Sequence, residues 1–345
     1  VKLSFSVVVA YLAIFVVIIM LVLWAHDAHL RRHIAQSYPA IGEIYEGQTA
    51  RLHVLRTGKA GAQPVILIHG SSGSSRDMMQ AFGTALEEDY EVLSVDRPGI
   101  GWSENKIPDI EMSDPRQQAA AIHEFVMSEQ SKSKGNKKPI IVGHSWGGAV
   151  AVAYLMQFSE DIAGVLSIAP PLFPWRGPPA WYEKLVTRPV IGSIFSSLVL
   201  TKYGMTQLQA GIDSNFWPEP SRDGFGEAIG LPQILRLGPF RINSLYNIHL
   251  KRHLADMSKD YAKLTGNLTV STGNKDRTVN AEFNSKRFFE AVPSSRLVWF
   301  EEAGHMVHYT RTQVLVDEIN TLAGKTKFKP GFIEHSELVK DKLEP

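Results

Sequence analysis

The chain has 345 residues, 44% hydrophobic and 21% charged, with a formal net charge of +1. That composition can fill a sizeable core and excludes a disordered chain, and the near-neutral charge carries no nucleic-acid signature. Cysteine is absent, which excludes disulfide scaffolds, thiolate metal sites and a cysteine nucleophile.

From Leu3 to Ala25 no residue is charged, and Val7 to Trp24 is almost wholly apolar. A bilayer-spanning helix needs about 20 such residues, so residues 1–25 are expected to form a single transmembrane anchor. A cleaved signal peptide fits less well, because the run exceeds the usual ~7–15-residue apolar region and Asp27 stands where a small residue would be wanted. A buried helix ahead of every core element fits less well still. Lys2 precedes the run and Arg31 and Arg32 follow it, so the charge balance does not orient it. Residues 26–50, with "HLRRH", read as a polar linker.

Strand and helix patterns then alternate. "RLHVLRTG" (51–58) reads as a strand, and "PVILIHG" (64–70) as a strand buried on both faces. "RDMMQAFGTALEE" (76–88) has helical spacing, and "YEVLSVDRPG" (90–99) is a strand ending in a turn. "DPRQQAAAIHEFVMSEQ" (114–130) starts a helix with Asp114 as N-cap and Pro115 at the first position. The mildly basic "SKSKGNKK" (131–138) reads as a solvated loop. A strand (139–145), an apolar helix (146–159) and a strand (163–170) follow. Residues 171–264 interrupt the pattern with prolines, aromatics and helical stretches, and are expected to form a helical cap. Alternation resumes with strands at 267–276 and 296–305 and helices at 280–292 and 311–324, leaving a charged, loosely packed tail at 325–345. The fold class expected is α/β: a mostly parallel central sheet with helices on both faces, in two core segments (51–170 and 265–324) split by the cap.

In such a sheet, ligands bind beyond the carboxyl ends of the strands. "GHSWG" (143–147) stands there and matches G-x-S-x-G. A serine on that sharp turn needs small neighbours, which Gly143 and Gly147 supply, with His144 between strand and nucleophile. The turn lifts the Ser145 hydroxyl into the cleft and aims the Trp146 N–H toward developing negative charge. An incidental serine in a glycine-rich turn is the plainer alternative; the strand before and helix after count against it. A nucleophilic serine needs a base, and the base needs a carboxylate. His305 in "EEAGHMVH" follows the last core strand, with His308 as competitor, and Asp276 in "STGNKDRTV" follows the strand before it. The order Ser145, Asp276, His305 is that of a G-x-S-x-G hydrolase. The loop "HGSSGSS" (69–75) offers the second oxyanion donor through the Ser71 N–H, with Ser72 as fallback; it lacks the phosphate-loop lysine. "NLT" (267–269) fits a glycosylation acceptor but heads a core strand.

With these motifs in place the chain resembles the α/β-hydrolase superfamily. "HGSSGSS", "VDRPGIGWS", "GHSWGG", "GNKDRTV" and "AGHMVH" stand in the family's order and span about 50–324. The resemblance implies that residues 171–264 shape the substrate pocket and that Asp96 and Arg97 are structural. Serine at 145 argues against the epoxide hydrolases and haloalkane dehalogenases, which use aspartate there. The anchor-plus-hydrolase architecture resembles membrane-anchored monoacylglycerol lipases. The expected activity is hydrolysis of a carboxylic ester, lipophilic by the greasy cap, without metal or organic cofactor. Amide, thioester or carbon–carbon hydrolysis, perhydrolase or lyase chemistry, and a catalytically silent binding protein remain as alternatives on the same fold.

Overall fold

The computed structural model describes residues 4–132 and 137–336. Ten strands form one sheet: β1 (Glu43–Glu46), β2 (Ala50–Gly58), β3 (Gln63–Ile68), β4 (Tyr90–Val95), β5 (Glu104–Asn105), β6 (Ile140–His144), β7 (Gly164–Ile168), β8 (Leu268–Gly273), β9 (Arg296–Phe300) and β10 (Gly331–His335). Their order is β1-β2-β4-β3-β6-β7-β8-β9-β10, with β5 paired to β2. From β4 to β10 every neighbouring pair is parallel; the pairings of β2 with β1, β4 and β5 are antiparallel. This is the mostly parallel α/β sheet expected from the alternating sequence.

The physical cause is visible in the central strands. Val65 to Ile68, Ile140 to His144 and Gly164 to Ile168 are buried along their whole length. Strands apolar on both faces are stable only between two helical layers. The long helices outside the cap are α1 (Phe5–Ser37), α2 (Ser75–Leu86), α3 (Pro115–Lys132), α4 (Trp146–Phe158) and α5 (Thr312–Leu322). Two apolar clusters result. Ile66, Ile141 and Val165 pack with α3 and α4, whereas Leu67, Val142 and Leu166 pack with α2 and α5. Successive residues of one strand thus serve opposite layers. At the start of α3, the Asp114 carboxylate accepts the Arg116 N–H at 2.9 Å, and Pro115 takes a helical position where a missing N–H is harmless.

Between β7 and β8 every described element is helical. The longest are α6 (Thr201–Phe216) and α7 (Leu237–Met257), with shorter turns at Trp181–Val186 and Pro189–Phe195.

Two expectations at the ends need correction. Residues 26–50 are not a linker: α1 continues to Ser37, and β1 adds an antiparallel edge to β2. The polar residues of "HDAHLRRH" do not break the helix. Asp27 pairs with Arg31 one turn on, and Asp27 and Ile34 are buried where α1 packs on the cap. Likewise, Gly331–His335 in the tail pairs in parallel with β9, and Phe332 lies 6.0 Å from Trp299, ring to ring. Part of the loop at 131–138 and the tail beyond residue 336 lie outside the described residues.

Candidate active site

The strand ends bring the candidate residues together. Ser145 follows β6, the loop carrying Ser71 follows β3, Asp276 follows β8 and His305 follows β9. Ser145 has φ 52° and ψ −119°, a conformation that a residue with a Cβ adopts only under constraint. The constraint is local: the Ser145 N–H donates to the Ile168 carbonyl at 2.7 Å, and the Ser145 carbonyl accepts the Gly148 N–H at 2.8 Å. The flanking glycines are required by contact. A Cβ on Gly143 would stand 2.1 Å from the Gly147 carbonyl oxygen, and one on Gly147 would stand 2.3 Å from that of Ile68.

His305 Nδ1 donates to Asp276 Oδ2 at 2.6 Å. The other carboxylate oxygen of Asp276 accepts the N–H groups of Thr278 and Val279 at 2.7 and 2.8 Å. The carboxylate is therefore fixed by its own turn before it meets the imidazole. Ser145 and His305 line one cavity of about 730 Å³, together with Ser71, Asn247 and Thr278. The cap closes over it and is tied to both loops: the His305 N–H donates to the Asn215 carbonyl at 3.1 Å, and Thr278 Oγ1 donates to Asn215 Oδ1 at 2.7 Å.

The backbone donors expected for an oxyanion hole are the N–H groups of Trp146 and Ser71. Trp146 is the first residue of α4, so its N–H has no acceptor within the helix. Ser71 and Ser72 are distinguished by Asn243 of the cap, whose Oδ1 accepts the Ser72 N–H at 3.2 Å. This contact engages the fallback Ser72 with the cap and keeps Ser71 as the candidate donor. The Ser71 hydroxyl lies 3.2 Å from both Asn243 Oδ1 and Asn247 Oδ1, and Asn247 Nδ2 donates to the buried Glu183 at 2.9 Å. Burial raises the Glu183 carboxyl above its usual range, against the Asn247 and Ala180 hydrogen bonds that lower it. Asn243, Asn247 and Glu183 were not legible in the sequence. They sit on cap helices with no motif, and only the folded chain sets them against the Ser71 loop.

Beneath the loop, Asp96 and Arg97 have structural partners. Asp96 accepts the His53 ring and the N–H groups of Ser75 and Trp102 at 2.8, 2.6 and 2.8 Å. Burial alone would raise its carboxyl; the His53 hydrogen bond and the neighbouring His69 and His53 rings hold it below the ordinary value. The Arg97 guanidinium donates to the Gly70 carbonyl at 3.2 Å and lies 4.4 Å from the centre of the Trp146 ring. Burial brings its pKa down to about 9. His308, the alternative base, is fully buried, with Nε2 4.0 Å from Asp77 Oδ1.

His69 sets a pH limit on this floor. Its Nδ1–H donates to the Gly70 carbonyl at 2.8 Å, and its Nε2 accepts the Arg97 N–H at 2.9 Å. Burial, then the Arg97 charge, lowers its pKa from 6.5 to about 4. Between these values the unfolded chain binds a proton that the folded chain refuses, so stability falls as pH drops below 6.5. The loss from this residue should reach about 3 kcal/mol by pH 4. Denaturant unfolding across that range checks it, and His69→Gln should flatten the slope by one proton; an unchanged slope would exclude His69 as the cause.

Comparisons with known proteins agree with this architecture. The sequence profile described as "Alpha/beta hydrolase family" matches residues 65–318. A proline iminopeptidase of Saccharolobus solfataricus is 23% identical over 72% of this chain and 80% of its own. The human monoacylglycerol lipase ABHD6 is 30% identical over a shorter stretch, 33% of this chain and 32% of its own. Among solved structures, a membrane phospholipase A described as a bacterial virulence factor superposes with a TM-score of 0.63 at 17% identity, covering 92% of this chain and 96% of its own. A putative aryl esterase from Burkholderia cenocepacia gives 0.62 at 20% identity, covering 82% and 100%. At these identities the structural likeness establishes the fold. The profile spans most of the chain, from within β3 into α5, and on that ground the protein belongs to the alpha/beta hydrolase family.

Proposed function

We propose that this protein is a membrane-anchored serine hydrolase that cleaves a lipophilic carboxylic ester through an acyl-enzyme. The observation that carries the reading is the 2.6 Å hydrogen bond from His305 to Asp276 at the cavity that Ser145 lines. In the proposed cycle His305 Nε2 takes the Ser145 proton as the hydroxyl attacks the ester carbonyl. Asp276 holds the Nδ1–H tautomer and stabilises the imidazolium. The N–H groups of Ser71 and Trp146 receive the oxyanion, and water releases the acyl group through the same base. No step calls for a metal or organic cofactor.

Two features support a lipophilic substrate. The cavity walls include Leu200, Leu208, Ile212, Phe216 and Leu235, and the volume suits a small organic molecule. The second feature is α1. Its 33 residues extend about 50 Å, more than the ~30 Å bilayer core, and its most apolar 18 residues have a mean hydropathy of 3.1 and none buried. The remaining turns pack on the cap, which would hold the cavity close to the membrane surface. Trp181, Val190, Ile191 and Ile194 on the cap are exposed and apolar.

Hydrolysis of p-nitrophenyl esters over a range of acyl lengths tests the reading, with Ser145→Ala as the blank. Ser145-dependent rates should rise toward long chains; rates confined to acetate and butyrate would reject the lipophilic assignment. Iminopeptidase activity is a second reading, favoured by a relative matched over most of the chain. Prolyl amide substrates distinguish it, since turnover of those alone would replace the ester assignment.

A further inference from the structure

Behind His305 lies a group of buried side chains that the proposed cycle does not use. His144, His308 and Asp77 come from β6, from the turn after His305 and from the first turn of α2, and are 4%, 0% and 4% exposed. One donor atom from each lies within 4.8 Å of the other two. Both ring nitrogens of His308 and Nδ1 of His144 make no hydrogen bond among the described residues. Buried polar atoms are rarely left so, and three in one place point to a missing partner.

We propose that Asp77, His144 and His308 form a binding site for a divalent transition-metal ion of the zinc class. The donor set, two imidazoles and one carboxylate, is one that zinc accepts with a fourth position left open. The outer contacts already have the required form. His144 Nε2 donates to the His305 carbonyl at 3.2 Å, which leaves Nδ1 as the lone-pair atom. The single proton of the Tyr309 hydroxyl is shared between the Asp77 carbonyl at 2.7 Å and Asp77 Oδ1 at 2.8 Å. A hydrogen bond on the far side of a ligand, as at His144 Nε2, fixes the tautomer of the ring. Tetrahedral zinc would need the donors, now within 4.8 Å, about 3.3 Å apart, so the His144 and His308 rings, whose centres lie 4.0 Å apart, would turn to converge on it. Entry is available because Asp77 and His144 also line the cavity. Through the His144–His305 hydrogen bond, occupancy would be coupled to the loop that carries the candidate base.

The test needs no substrate, so its outcome is separate from that of the hydrolase reading. Full-length protein in detergent is stripped with a chelator and titrated with zinc by calorimetry, then with cobalt, whose visible absorption reports tetrahedral ligation. One zinc per chain and a tetrahedral cobalt spectrum are expected. Asp77→Asn and His308→Phe should each weaken zinc binding by about 100-fold or more, with circular dichroism showing that the variants fold. His29→Ala/His33→Ala, which removes two exposed histidines one turn apart on α1, should leave that binding intact. No uptake by the parent protein overturns the site. So does uptake that persists in both folded variants, or uptake lost with the α1 pair.

Discussion

Ser145→Ala will lower turnover of any ester substrate by about 10⁶-fold while leaving the thermal midpoint nearly unchanged. The two halves of this expectation have separate causes. Turnover falls because alanine removes the only atom that would form the acyl-enzyme. The oxyanion donors remain, so a residual acceleration of about 10³–10⁴ over water is expected. Stability is kept because the strain at position 145 comes from a Cβ at φ 52°, and serine and alanine both carry one. The hydrogen bonds that hold the turn use the backbone. Steady-state rates and a melting curve on the same preparation check both halves. A variant with full activity would remove Ser145 from the mechanism, whatever its melting point.

Asp276→Asn is expected to cost about 10⁴-fold in turnover with the fold intact. Oδ1 of Asp276 accepts two backbone N–H groups, so an asparagine must keep its carbonyl oxygen at that place. Its amide nitrogen then faces His305 Nδ1 as a donor. The imidazole must accept there, its proton moves to Nε2, and the atom that should take the Ser145 proton is already protonated. Asp276→Ala lacks this wrong donor but leaves the imidazole unfixed and the two N–H groups of the turn unpartnered. It should melt lower than Asp276→Asn. Equal activity of Asp276→Asn and the parent would show that the carboxylate serves the turn alone.

How much of this could be read before folding differs from residue to residue. The sheet was legible because strands such as "PVILI" and "PIIVG" are continuous apolar runs between helical patterns, and such runs need cover on both faces. The turn at Ser145 was legible because its backbone strain is local: one pentapeptide carries the candidate nucleophile, the glycines that permit the turn and the helix start. Asp276 and His305 were legible as residues after strand ends, since a parallel sheet gathers those ends on one edge. The reach of α1 is masked in the sequence because "HDAHLRRH" is polar yet has no helix breaker, and polarity alone does not stop a helix. The strand at Gly331–His335 was missed because an edge strand gains its stability from pairing with β9, which no local pattern announces.

The sequence by itself determined the layer order, the strained turn at Ser145 and the residue types available at the strand ends, because propensity, periodicity and steric limits act within a few residues. Only the tertiary contacts distinguish Ser72 from Ser71, since Asn243 comes from a cap helix about 170 positions from Ser72 in the chain and accepts its N–H. It also decided that His305 pairs with Asp276 while His308 turns into the buried group with His144 and Asp77. Two histidines three positions apart carry the same chemistry in the sequence. What separates them is packing, which sets one against a fixed carboxylate on the cavity and the other behind it, where burial lowers the pKa of its ring.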